Sequence, residues 1–449
     1  MRFDNPGRVA LFSALFLTGA ILRAEDWPQW LGPGRDSVWT ETSVVEKFPA
    51  EGPPIRWRVN IGSGYAGPVV AKGRVYVMDR RLAQDASNPS DPFQRGSIAG
   101  GERVLCLNEA DGKVLWQHQY PCSYTISYPA GPRVAPLVRD GKVFTLGAEG
   151  NLFCLDAESG KVLWSHEFKK ELNIKAPMWG FAGHPLLVGD KLICLAGGAG
   201  STLVAFARNT GKELWRSLTT EEPGYSSPIL CDAGGKKQLI LWQPEGADSL
   251  DPETGAVYWS VPFKSRAGLT VSTPRRMGDL LFFTSFYNGS LMLRLDPTKP
   301  FAEPVWQTEK AGEKETTHLN SILCTPFLED GYIYGVCSYG QLRCLKAETG
   351  ERVWESFQAT TGNEPVRWGN AFIVKNGNRF FLFNESGDLI IARLSPKGYK
   401  ETSRAHLLEP ANKDPGRPVV WSHPAFANRH VYARNDKEII CADLEQPGP

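Results

Sequence analysis

The chain has 449 residues, with 50 basic and 49 acidic side chains and a formal net charge of +1. That balance supplies no global field for nucleic acid or anionic lipid, and nucleic acid is not expected as a partner. The length would ordinarily suggest two or three domains, but no Pro/Ser-rich linker or charge block divides the sequence after Pro54, which favours one large unit.

Residues 1–24 read as a secretory signal peptide. Arg2 and Arg8 mark a basic leader, residues 9–22 are apolar except for Ser13, Thr18 and Gly19, and Ala20 or Ala24 offers a small residue for cleavage. The stretch is short for a bilayer span. The alternative is an uncleaved membrane anchor, which would be the protein's only membrane association. No cysteine follows closely, so a bacterial lipid anchor has no support. The expected location is the periplasm or cell envelope. Residues 25–53 form an N-terminal extension.

From residue 54 onward one pattern organises the chain. An aromatic follows a short turn at Trp57, Trp116, Trp164, Trp215, Trp259, Trp306, Trp354 and, in an altered copy, Tyr399, with separations of 59, 48, 51, 44, 47, 48 and 45 residues. This period suits propeller blades and is too long for most solenoids. Asp156, Gly160 and Trp164 illustrate the unit: Asp opens the turn through a side-chain-to-backbone hydrogen bond, Gly takes positive φ, and the aromatic leads out along a strand. Two short apolar strands precede each turn, as at 142–145 and 152–155, and a first strand opens near Pro68, Pro136, Pro185, Pro228, Pro274, Pro326 and Pro424, or at residues 370–373 where the Pro is missing. Four antiparallel strands per repeat make a blade, and eight repeats make an all-β, eight-bladed β-propeller over residues 54–449. The last repeat lacks its aromatic strand, whereas Pro54 to Val59 carries that pattern with no blade of its own. The N-terminal strand should therefore complete the last blade and close the ring.

Nine cysteines in an exported chain invite disulfides. Yet Cys106, Cys154, Cys344 and Cys441, with Cys194 as a fifth, fall at one third-strand position in separate blades and should be buried apolar residues. Cys337 and Cys344 flank one hairpin and are the one pair worth testing. No metal motif appears, and Gly197, Gly198 and Gly200 lack the strand-to-helix context of a dinucleotide site. The eight repeat aromatics are expected to dock neighbouring blades rather than to form a stacking platform.

Because strands alternate in direction, the loops entering first strands share a face with the loops joining second to third strands. Around the axis that face carries Tyr65, Arg133, Trp179, His184, Tyr225, Asn320, Arg367, Trp368, Asn370, Trp421 and His423. Either these residues hold a planar or anionic ligand by stacking and bidentate hydrogen bonding, or the aromatics plug the funnel and the arginines pair with backbone carbonyls. The polar insertion at residues 80–102 lies on the same face, as a lid or as a bystander loop.

The Asp-x-x-Thr-Gly-Lys-x-x-Trp repeats resemble the PQQ-like propeller repeat of eight-bladed quinoprotein alcohol dehydrogenases and of BamB-like envelope propellers. Asp26-Trp27-Pro28-Gln29-Trp30-Leu31-Gly32-Pro33-Gly34-Arg35-Asp36 is similar to the N-terminal signature of exported PQQ-like proteins abundant in planctomycete-type bacteria. The resemblance covers residues 54–444 and implies the fold; chemistry stays open. A quinoprotein dehydrogenase acting on an alcohol or sugar would imply PQQ with calcium, an Asp base, an Arg on the quinone and a stacked aromatic. Arg133 or Arg367 and Trp179 would serve, but the entering loops contain no Asp or Glu, only Glu221, Glu222 and Glu364 lie near, and no Cys-Cys pair exists. The expectation is a non-catalytic binding or scaffold module with no assigned cofactor or metal. It would engage an envelope protein or small ligand on the entering-loop face.

Overall fold

Each of the seven prolines stands immediately before an innermost strand, where a missing N–H costs no ladder hydrogen bond. These strands are Val69–Ala71, Leu137–Arg139, Leu186–Val188, Ile229–Ala233, Arg275–Met277, Phe327–Glu329 and Ala425–Ala427; Ala371–Asn376 is the eighth. They open eight four-stranded antiparallel sheets, blades 1 to 8 in chain order, with Ala371–Asn376 opening blade 7 and Ala425–Ala427 blade 8. The computed structural model describes residues 1, 25–413 and 416–447. Apart from Met1, the expected signal segment lies outside the described residues.

The ring closes as the sequence implies. Ile55–Asn60 pairs with Glu438–Asp443, with Trp57 opposite Cys441, and so becomes the fourth strand of blade 8. The cores lie between blades: Tyr76 and Cys106 of blade 1 pack with Val143 and Leu155 of blade 2.

Every blade carries a bulge between its third and fourth strands, next to the repeat aromatic where one is present. The bulge turns the ring toward the following blade. There the indole N–H of Trp57, Trp116, Trp164, Trp306 and Trp354 donates to the carbonyl of Glu109, Ala157, Arg208, Ala347 and Ser395, respectively, at 2.8 to 3.1 Å. Trp215 packs over the turn glycine Gly255, while its N–H finds no partner among the described residues. Trp259 instead donates to Gln238 Oε1 of its own blade at 2.8 Å.

The eighth aromatic was placed wrongly by the repeat. In blade 7 the bulge lies at Ile391 and Ala392, opposite Ser403, so Ser403 holds the docking position and Tyr399 lies four residues earlier. A tight connection between Ser395 and Gly398 replaces the longer glycine turn and displaces the pattern. The missing ring is replaced by the N-terminal extension: the Phe48 backbone N–H donates to Ser403 Oγ at 3.0 Å, and Trp39, Val45 and Phe48 join the core shared by blades 7, 8 and 1.

Cys194 also differs from expectation. It sits in the second strand of blade 3, Lys191–Leu195, opposite Val204, because both central strands there are apolar. All nine cysteines are free and buried, including Cys337 and Cys344. Within the insertion, Arg74–Leu82 and Gly100–Asn108 extend the blade 1 hairpin, so only residues 83–99 are irregular.

Candidate functional site

The extension supplies the floor of the axial funnel. Trp27 bridges Val70 at the inner edge of blade 1, the Pro28 carbonyl accepts from Val138 N–H of blade 2, and Val38 bridges Lys375 of blade 7. Between them Arg35 donates to the carbonyls of Pro185 and Pro228 at 3.0 and 3.3 Å, leading blades 3 and 4. Arg275 of blade 5 donates to the Asp36 carbonyl at 2.6 Å. Burial pulls both guanidiniums down to about 10. A segment touching so many inner edges stops the channel.

Trp30 lies at this stop. Its ring stacks on His184 with centroids 4.1 Å apart, meets His423 edge-on at 5.1 Å, and donates its N–H to Thr273 Oγ1 at 3.0 Å. Above it opens a cavity of about 260 Å³ on the entering-loop face, walled mainly by aromatic side chains. Tyr65, Arg133, Trp179, His184, Tyr225, Arg367, Trp368, Trp421 and His423 all line it. Asn320 and Asn370 do not: both are buried outside it, and Asn320 donates to the Phe286 carbonyl at 3.0 Å.

Both arginines in the wall already have partners. Arg133 donates to the carbonyls of Ser127, Tyr128, Gly131 and Trp179 and lies 5.1 Å over the Tyr65 ring. Arg367 is ion-paired with Glu313 and stacks 4.3 Å over Trp368. The imidazoles are neutral at pH 7. Burial, then Arg35 and His423, hold His184 well below its ordinary value, and burial pulls His423 down to about 4. His423 Nδ1 meets the Pro424 carbonyl at 2.6 Å, so Nδ1 carries the proton and Nε2 is a bare acceptor. His184 Nδ1 meets Ser227 Oγ at 3.1 Å. Both Nε2 atoms are buried without a partner among the described residues.

This donor set does not fit PQQ with calcium. The guanidiniums are committed, Asn320 and Asn370 lie outside the cup, and Glu222 is turned to Tyr225 and the Met178 N–H, each at 3.4 Å. Among the described residues no group of three or more His, Cys, Asp or Glu is placed to hold a metal. The arrangement is suited to stacking.

Sequence reasoning missed Trp30, Phe93, Tyr128, Phe286, Tyr287 and Phe372, which also line the cup. Phe93, from the blade 1 insertion, meets Tyr128 edge-on at 5.1 Å and Trp368 at 6.4 Å, while the Tyr128 N–H donates to the Pro92 carbonyl at 2.7 Å. Tyr128 and Trp368 both have left-handed backbones, φ 53° and 63°, a strain that bulky residues seldom carry. Aromatics two or more residues from the first-strand prolines were the available signal for Tyr128.

The family described as outer membrane protein assembly factor BamB matches residues 100–316 and 302–448. The outer membrane protein assembly factor BamB of Burkholderia pseudomallei (strain K96243) is 28% identical over 165 residues, 34% of this chain. The match spans only 40% of that relative's length. The crystal structure of BamB from Moraxella catarrhalis superposes with a TM-score of 0.52 at 17% identity, covering 83% of this chain and 99% of that one. A computationally designed protein superposes with a TM-score of 0.55 at 10% identity, covering 88% and 100%. With its eight closed blades and most of its length matched by the family, this chain belongs to the BamB-like family of PQQ-like β-propellers.

Proposed function

We propose that the protein is an exported, non-catalytic binding or scaffold module of the cell envelope, working through its entering-loop face. The observation that carries this reading is the blind aromatic cup, in which Arg133 is held by backbone carbonyls, Arg367 is ion-paired with Glu313 and the floor is closed by Trp30. Such a surface offers stacking area and pre-formed shape at little ordering cost, which is what recognition needs. The curated relative is named an outer membrane protein assembly factor, and that likeness supports an envelope protein as the partner. Export rests on the signal pattern of residues 1–24.

The test is affinity capture from envelope extract with the native chain and with Trp368→Ala and Trp421→Ala. A partner retained by the native chain and lost by both variants is expected; capture indifferent to both would remove the basis for this face. Adding PQQ and calcium and following dye reduction with alcohols or sugars tests the absence of catalysis, and turnover would overturn it.

A further inference from the structure

We infer that the bond cut on export is Ala24–Glu25, and that the α-ammonium freed on Glu25 is the counter-ion of the buried Glu41 carboxylate, fastening residues 25–41 into a closed loop. This rests on the export reading and adds where the chain is processed and what receives the new terminus.

Glu41 is a buried carboxylate with no partner of opposite charge. It is 7% exposed, and its oxygens accept from the Trp39 indole N–H at 2.7 Å, the Arg429 backbone N–H at 2.8 Å and the Glu25 backbone N–H at 3.0 Å. All three groups donate, which is the arrangement that an ionised carboxylate takes. Among the described residues no Lys, Arg or His is ion-paired with it, and the Arg429 side chain is turned to Glu445 at 3.3 Å. Buried carboxylates are rarely left without a cation.

The Glu25 nitrogen is the one of those three donors that processing can turn into a cation. Ala24 supplies the small residue that export peptidases need before the cut bond. Hydrolysis adds water across the amide: the C–N bond breaks, Ala24 leaves as the carboxylate end of the leader, and the Glu25 nitrogen stays on the chain as an ammonium. That nitrogen already lies 3.0 Å from Glu41 Oε1, so the hydrogen bond becomes an ion pair without rearrangement. A cut after Ala20 would leave residues 21–24 attached and this nitrogen an uncharged amide.

The pair also acts on the plug. The Glu25 carboxylate accepts from the Thr40 N–H and hydroxyl at 3.0 and 2.7 Å, so side chain and amine together fasten the two ends of residues 25–41. Between those ends lie Trp30 and Arg35, which stop the channel. Removing the leader thereby tightens the stop. The other charged groups on the elements packed there are Asp26 against the Lys72 N–H, Arg379 on the Val44 carbonyl and Arg429 on Glu445.

The experiment expresses the full chain with its own leader in an exporting bacterium and measures the intact mass of the soluble envelope form. A chain beginning at Glu25 is expected. One beginning at Ile21 or any other residue, or an uncut chain in the membrane, overturns the inference and leaves export standing, whereas a chain retained in the cytoplasm removes both. The processed protein is then labelled at pH 7 with an amine-reactive ester, and its N-terminal peptide is quantified. Pairing that raises the proton affinity of the α-amine tenfold cuts its reactive fraction about tenfold. Glu41→Gln should therefore be labelled about tenfold faster than the native chain, and Glu51→Gln, exposed in the same extension, at the native rate. If Glu41→Gln does not fold, the native chain decides: its labelling should rise with pH about a midpoint above the free α-amino value of about 8. Equal labelling of the native chain and Glu41→Gln, or a native midpoint at the free value, would overturn the inference.

Discussion

Trp116 of blade 1 lies so closely over Gly160 of the blade 2 turn that a Cβ at Gly160 would stand 2.5 Å from the ring, while the indole N–H donates to the Ala157 carbonyl of the same turn at 3.1 Å. Gly160 also has φ 71°, so the glycine serves the turn and the docking contact at once. The same pairing joins Trp57 to Gly112, Trp164 to Gly211 and Trp215 to Gly255.

Removing the ring should therefore open an inter-blade cavity. Trp116→Ala is expected to cost about 3–5 kcal/mol, and Gly160→Ala about 1–3 kcal/mol through strain and contact. Tyr399→Ala should cost less than about 2 kcal/mol, because Tyr399 is outside the docking register. Denaturant unfolding measures all three; a Tyr399→Ala loss equal to that of Trp116→Ala would contradict the register assignment.

Thiol chemistry should report the integrity of the ring. All nine cysteines are buried and free, and burial pushes the Cys154, Cys324 and Cys441 thiols up to about 12. A thiol reagent at pH 8 should find essentially none in the native protein and nine after denaturation. A reduced count in the denatured, unreduced protein would reveal a disulfide.

His423 should make the protein acid-sensitive. Its folded value of about 4 lies below the unfolded 6.5, so the unfolded chain binds the extra proton between these limits. Stability from this residue is complete above pH 6.5 and falls as pH drops toward 4, by about 3 kcal/mol in total. His184 acts in the same direction. Buried Glu102 opposes them, since burial raises its carboxyl. The difference between native protein and His423→Phe, followed by chemical denaturation from pH 7 to 4, isolates the histidine; equal slopes would refute its burial as a neutral group.

Trp30 should matter to the cup more than to the blades. Trp30→Ala removes the ring stacked on His184 and leaves the anchors of Arg35 and Trp27 in place. Cooperative unfolding should persist, and fluorescence quenching by acrylamide should rise as the floor opens. Unchanged quenching would argue that the channel is not closed by this residue.

The architecture was readable because its determinants recur: a Pro before seven of the eight innermost strands, a turn most often built on glycine, and an aromatic beside a bulge. Where the repeat lapses, reading failed. Blade 7 has a shortened turn between Ser395 and Gly398, so Tyr399 stood in for Ser403, and two equally apolar strands in blade 3 misplaced Cys194. Nine of the eleven candidate site residues do share the cup, because entering loops converge on the axis whatever their sequence. The carbonyl pairing of Arg133 is one of the two alternatives the sequence left open, whereas the Glu313 partner of Arg367 was not legible, since it comes from loop geometry. Nor was the plug: residues 25–40 have no periodicity, and Trp30 meets Thr273 across 243 residues of chain.

The most direct test of the binding-face assignment is photo-crosslinking in the cell. A benzophenone side chain is placed at Phe93, on the rim of the cup, and separately at Leu163, exposed on the outer strand of blade 2. A discrete adduct is expected from position 93 and none from position 163. An adduct from position 163 alone would place recognition on the outer edge of the ring and contradict it.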